Sequence, residues 1–76
     1  NPDEIKIKGH KYYLNGEKLT LSKVDRSLKK MSRSYKKGKM SLLIAPDKKA
    51  PVEEVVAIMD IARRYNINGI LVSAKN

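Results

Sequence analysis

Lys11-Tyr12-Tyr13-Leu14-Asn15-Gly16-Glu17-Lys18-Leu19-Thr20-Leu21 is the stretch that decides the fold. Its first four residues carry adjacent aromatics, which favour a strand. Asn15-Gly16 is the strongest two-residue hairpin signal, because both residues tolerate φ > 0. Glu17-Lys18-Leu19 then pairs back. Thr20 is a good N-cap, with Leu19 and Val24 placed at N′ and N4 as a hydrophobic staple. A hairpin and a helix start are thus packed into one short segment.

Upstream, Ile5-Lys6-Ile7-Lys8 alternates apolar and basic with period two, the pattern of a half-buried strand. Gly9-His10 breaks it with a tight turn. Residues 1–4 read as the end of a linker, and the start at Asn1-Pro2 rather than Met reads as a fragment or processed product.

Downstream, Leu21, Val24, Leu28, Met31 and Tyr35 recur at offsets of 0, 3, 7, 10 and 14. At helical spacing they form a stripe only about 80° wide, so a first helix is predicted to run on until Gly38 ends it as a C′ residue. Leu42-Leu43-Ile44-Ala45 reads as a strand buried on both sides or central in a sheet. Pro46 to Ala50 is a loop. A second helix is predicted over residues 51–65, with Pro51 in its first turn, Glu53 and Glu54 at its positive end, and Arg63 and Arg64 at its negative end. Asn66 or Asn68-Gly69 ends it, and Ile70-Leu71-Val72-Ser73-Ala74 is the last strand.

The order β-β-β-α-β-α-β places two strand–helix–strand crossovers at the end. Right-handed crossovers put both helices on one face of the sheet. The expected fold is α+β, a two-layer sandwich with two helices packed on one face of a small mixed β-sheet. Residues 5–74 form one domain, and residues 75–76 read as a tail.

Composition bounds the function. The chain has 76 residues, 41% of them hydrophobic, which allows one domain and argues against disorder. Cysteine is absent and there is one His, so no disulfide framework, thiolate zinc site, multi-histidine metal centre or Cys nucleophile is expected. No cofactor is expected. No uninterrupted apolar run, Leu42 to Ala45 included, comes near the ~20 residues that span a bilayer. Phe and Trp are both absent, so the core must be aliphatic with Tyr at its margins.

Lys plus Arg total 17 against 8 Asp plus Glu, a net charge of +9. Lys23, Arg26, Lys29, Lys30, Arg33, Lys36 and Lys37 all fall outside the apolar stripe of the first helix. Such a face is either simply solvated or a surface for an anionic partner: nucleic acid, anionic lipid, or a carboxylate-bearing polymer such as peptidoglycan. A nucleic-acid-binding module is the alternative function. It lacks an aromatic platform, a GxxG loop and an RNP motif, so no nucleic-acid partner is expected.

On the second helix, Val52, Val55, Val56, Met59 and Ala62 read as the core stripe, with Ile58, Ile61 and Tyr65 to one side. The whole apolar arc spans about 220°. Ile58, Ile61 and Tyr65 either meet the first helix or contact a partner. The open edges of a small sheet can also accept a strand. Asp47, in the loop after a central strand, is a candidate contact or a turn residue, and His10 reads as a solvated turn residue. No phosphate loop, catalytic carboxylate pair or nucleophile elbow is present, so no enzyme is expected.

Several segments are familiar. Lys11-Tyr12-Tyr13-Leu14-Asn15-Gly16-Glu17 with Leu19-Thr20-Leu21 resembles the opening of the periplasmic domain of the ExbD/TolR family. Leu42-Leu43-Ile44-Ala45-Pro46-Asp47 is similar to that family's strand and loop, and Val55 to Ala62 to its Val-Val-x-Val-Met-Asp-x-Ala helix. The resemblance spans Ile5 to Ser73, with Ala45-Pro46 standing where the family has a basic residue and alanine. It implies a subunit of a proton-driven motor for biopolymer transport: a periplasmic domain of a single-pass bacterial inner-membrane protein, working as a homodimer. An ExbB/TolQ-like channel protein would be met through a membrane helix, and a TonB/TolA-like transducer would receive the output. The resemblance also singles out Leu71. The expected transducer contact is therefore Ile70, Leu71, Val72 and Ser73, with Asp47, Ile58, Ile61 and Tyr65.

Overall fold

The computed structural model describes residues 2–73. Its elements are β1 (Asp3–Lys8), β2 (Lys11–Leu14), β3 (Glu17–Leu19), α1 (Leu21–Ser32), β4 (Ser41–Pro46), α2 (Val52–Arg64) and β5 (Asn68–Leu71). They build one five-stranded mixed sheet in the order β3-β2-β1-β4-β5. The β1–β2 and β2–β3 pairs are antiparallel, and β1–β4 and β4–β5 are parallel. The expected α+β sandwich of two helices and a mixed sheet is what the chain forms.

Local chemistry explains the turns. Gly9 has φ 59° at the first central position of the β1–β2 turn, where a II′ hairpin needs it. Asn15 (φ 51°) and Gly16 (φ 88°) supply the two left-handed residues of a I′ turn. Asn15 does more than turn the chain. Its Oδ1 accepts from the Glu4 N–H at 2.9 Å, and its Nδ2 donates to Asp3 Oδ1 at 3.1 Å. These bonds, with the Asp3–Leu42 and Glu4–Leu43 pairings, carry β1 two residues further back than Ile5.

Thr20 caps α1 as expected, its Oγ1 accepting from the Lys23 N–H at 3.2 Å. The helix then stops at Ser32, well before Gly38. Ser32 Oγ donates to the Lys29 carbonyl at 2.8 Å, and Arg33, Ser34 and Tyr35 donate back to Lys30, Met31 and Ser32 in tight i→i−3 steps. Serine hydroxyls compete for backbone groups, and a clustered run of cations adds repulsion. Tyr35 accordingly leaves the apolar stripe and lies exposed, its hydroxyl donating to Asp3 Oδ2 at 3.4 Å. Gly38 (φ 77°) belongs to the connection, not to the helix end.

Pro51 and Tyr65 cap α2, and Asn66, in left-handed geometry at φ 58°, turns the chain into β5. β5 starts at Asn68, two residues before the expected Ile70, and has left strand geometry by Val72. Ala74, the last residue of the expected strand, and the predicted tail at residues 75–76 lie outside the described residues, as does Asn1.

The register puts Ile5, Ile7, Tyr12, Leu14, Leu42 and Ile44 on one face of the sheet, and all are buried there. Val24 and Leu28 of α1, Ile58, Ile61 and Ala62 of α2, and the flanking Met40 and Ile67 complete the same cluster. α1 lies against β2 and β3, and α2 against β4 and β5. The core stripe of α2 differs from the expected one. Ile58 is 0% exposed, whereas Val52 is 74% exposed and Val56 and Met59 also face out. The larger isoleucines take the seat between sheet and α1, and Ala62 fits where Gly69 brings β5 close.

Candidate interaction surface

β5 is an edge strand, bonded on one side only. Asn68 N–H donates to the Met40 carbonyl at 2.8 Å, and Val72 N–H to the Ile44 carbonyl at 2.9 Å. Alternate residues of a strand point their backbone groups opposite ways, so Gly69 and Leu71 aim their N–H and C=O at the open edge. All four residues of β5 are exposed, Leu71 by 59%. The opposite edge, β3, is three residues long and carries Lys18, a blunted edge by comparison.

The outward apolar side chains gather beside β5. Ile70 and Leu71 project from the strand, and Val52, Val56 and Met59 line the outer flank of α2. A cleft of 310 Å³ where the end of α2 meets the start of β5 is lined by Met59, Ala62, Arg63, Ile67, Asn68 and Gly69. Gly69 fits closely, since a Cβ there would lie 3.2 Å from Ile44 Cδ1, tight enough to make that methyl shift, and in ordinary contact with Ala62 Cβ at 3.8 Å. Backbone hydrogen-bonding groups beside an apolar cleft are the ingredients for adding a strand.

The residues expected to make contact do not share one surface. Ile70 and Leu71 stand on the open edge, and Asp47, Val72 and Ser73 share a second cleft of 470 Å³ with Glu4, Lys6, Lys8 and Ala45. Asp47 Oδ1 accepts from Gly9 N–H at 3.2 Å and Lys49 N–H at 2.9 Å, so its carboxylate organises two turns. Ile58 and Ile61 are buried in the core, where the side of α2 that carries them meets the sheet and α1, and Ile61 also lines the cleft between the helices. Tyr65 packs against the core, with its hydroxyl donating to Asp25 Oδ1. The reason is the rotation of α2, which hides these residues and presents Val52, Val56 and Met59 instead.

The basic cluster is also divided. Lys23, Arg26, Lys29 and Lys30 are exposed on α1, while Arg33, Lys36 and Lys37 are exposed in the connection after it. None of the seven forms an ion pair among the described residues.

Two polar clusters went unread in the sequence. Glu54, in the first turn of α2, accepts from the Tyr12 hydroxyl and lies 2.8 Å from His10 Nδ1. Those bonds hold the Glu54 carboxyl below the usual carboxylate range, against the opposing effect of burial. Burial and the adjacent carboxylate push the Tyr12 phenol up. Asp25 of α1 joins Arg64 Nη1 at 2.6 Å and the Tyr65 hydroxyl, fastening the two helices together. Tyr65 and Asp25 hold the Arg64 guanidinium firmly charged. No sequence signal links residues 39 to 44 positions apart, so only the fold reveals these clusters.

Among the described residues no group of His, Asp and Glu gathers as a metal site, and no helix is long and apolar enough to cross a membrane. A family model described as biopolymer transport protein ExbD/TolR matches residues 2–76. Comparison with curated proteins gave no match.

Proposed function

The chain belongs to the ExbD/TolR biopolymer transport family, and from that premise we propose that it is the periplasmic interaction domain of a motor subunit. In this reading the subunit is anchored in the bacterial inner membrane and works with an ExbB/TolQ-like channel protein. The domain acts as a homodimer and passes motion to a TonB/TolA-like transducer. Its work is docking, without bond-making chemistry.

The observation that carries this reading is the open β5 edge beside an exposed apolar flank. An extended segment of the transducer adds as a further strand. Its backbone meets Gly69 and Leu71, and alternate side chains settle toward Met59 and Val56. Residues Val72, Ser73 and Asp47 continue the contact on the other face of the sheet. Exposed apolar groups gathered beside an unpaired edge favour a partner over bare solvation. The exposed cations of α1 and its connection, Lys23 to Lys37, serve a separate contact with an anionic surface, for which peptidoglycan fits the proposed compartment.

Leu71→Pro tests the edge. It removes an outward N–H and no bond within the sheet, a position where proline is tolerated. Titrated with the periplasmic part of the transducer, the variant is expected to bind at least about tenfold more weakly while melting like the parent, given the importance of main-chain bonds in strand addition. Unchanged affinity would rule the edge out.

A further inference from the structure

The sheet has a second face, away from the helices, and its register gathers lysines. Lys6 is paired with Tyr13, Tyr13 with Lys18, and Lys8 with Lys11, so these five side chains share that face. Ala45, Leu43 and Ile70 continue it through β4 and β5. The four lysines are exposed, and none takes an ion pair among the described residues. Directly opposed like charges such as Lys8 and Lys11 destabilise a sheet. The acids nearby are Glu4, in the row of Leu43, and Asp47, whose carboxylate is engaged by the Gly9 and Lys49 N–H groups.

We infer that this open sheet face docks on an anionic phospholipid bilayer. It meets the proposed transducer contact only along Ile70 and the cleft that Lys6 and Lys8 share with Val72 and Ser73, leaves the backbone edge at Gly69 and Leu71 free, and lies on the opposite side of the domain from the cations of α1. Only the place where the bilayer is met rests on the proposed membrane anchoring.

The chemistry selects this occupant over others. A second copy is disfavoured, because lysines would face lysines. The patch contains Lys and no Arg, so it offers point charges and lacks the planar forks that suit specific phosphate or carboxylate recognition. Tyr13 is its sole aromatic, and Lys8 Nζ sits 5.0 Å from the ring centroid, covering a ring face that a nucleic-acid base would need for stacking. Lysines around half-buried Tyr13 and Leu43, with Ile70 exposed, make a shallow mixture of cations and apolar groups that suits the headgroup layer. Each lysine near such a surface strengthens binding by roughly fivefold.

The test is sedimentation of the chain with phosphatidylcholine vesicles, with and without phosphatidylglycerol. Binding is expected only with the anionic lipid, falling as salt rises. The Lys6→Glu/Lys11→Glu/Lys18→Glu variant is expected to lose more than about tenfold of this binding and to melt like the parent. Lys29→Glu/Lys30→Glu on α1 is expected to keep most of it. Leu71→Pro is expected to bind vesicles like the parent, which separates failure here from failure of the edge contact. No dependence on phosphatidylglycerol would overturn the inference. So would undiminished binding by the sheet variant, loss confined to the α1 variant, or capture of an oligonucleotide or acidic glycan in place of vesicles.

Discussion

Glu54 is where a single carboxylate ties three elements, reaching His10 in the β1–β2 turn and Tyr12 on β2 from the first turn of α2. Its acidity is increased by folding, so the linkage has a definite sign. A folded value below the unfolded one contributes stability above the ordinary carboxylate range, and that contribution is lost as pH falls through the folded value. Melting followed from neutral pH into acid should therefore fall more steeply for the parent than for Glu54→Gln below the ordinary carboxyl value of 4.5. Parallel curves would show that the contact contributes nothing in solution. Tyr12→Phe should lower the melting temperature and bring the Glu54 carboxyl back toward its ordinary range, measurable by carbon NMR titration. At this scale the hairpins were legible, because Asn15 and Gly16 act through their own backbone angles. The Glu54 cluster was not, because its partners are neighbours only after folding.

Elements were legible in kind and order, less so in extent and rotation. Period-two alternation located β1, and a cap with a staple located the start of α1. α1 ends earlier than periodicity predicts because the apolar offsets continue formally to Tyr35, while the Ser32 hydroxyl and a crowd of cations favour a tighter turn. The rotation of α2 was ambiguous for a different reason. Its apolar arc is wide enough to contain two overlapping stripes, and periodicity alone does not rank them. The seat in the core does, with Gly69 lying close to Ala62. A Cβ at Gly69 would crowd the Ile44 methyl, and valine adds further bulk beside Ala62, so Gly69→Val should cost about 1–3 kcal/mol through overpacking between β5, Ile44 and α2. Chemical denaturation would measure the loss, and an unchanged midpoint would mean that the helix shifts freely.

The whole molecule rests on one small aliphatic core under two helices. Leu28 of α1 is fully buried in it, so Leu28→Ala should cost about 2–5 kcal/mol. That is a large share of the 5–15 kcal/mol typical of a native domain. Calorimetry should register a melting temperature lower by roughly 4–8 °C for each kcal/mol. A net charge of +9, with lysines on both outer faces, adds self-repulsion. Added monovalent salt should therefore raise the melting temperature of the parent, and raise it less for the sheet-face charge-reversal variant. The layer arrangement was legible from the handedness of crossovers. The placement of β4 beside β1 was not, because hydrophobic patterns say which residues are buried and not which strand lies next to which.

That placement has a mechanical consequence. β1, β4 and β5 are adjacent and run the same way, so traction applied before Asp3 and resisted beyond Leu71 acts along the strands. Neighbouring ladder bonds then share the strain in shear instead of peeling apart one after another. A tug between the two ends meets the lattice in its stiffest direction, and the domain can carry tension as a link in a chain.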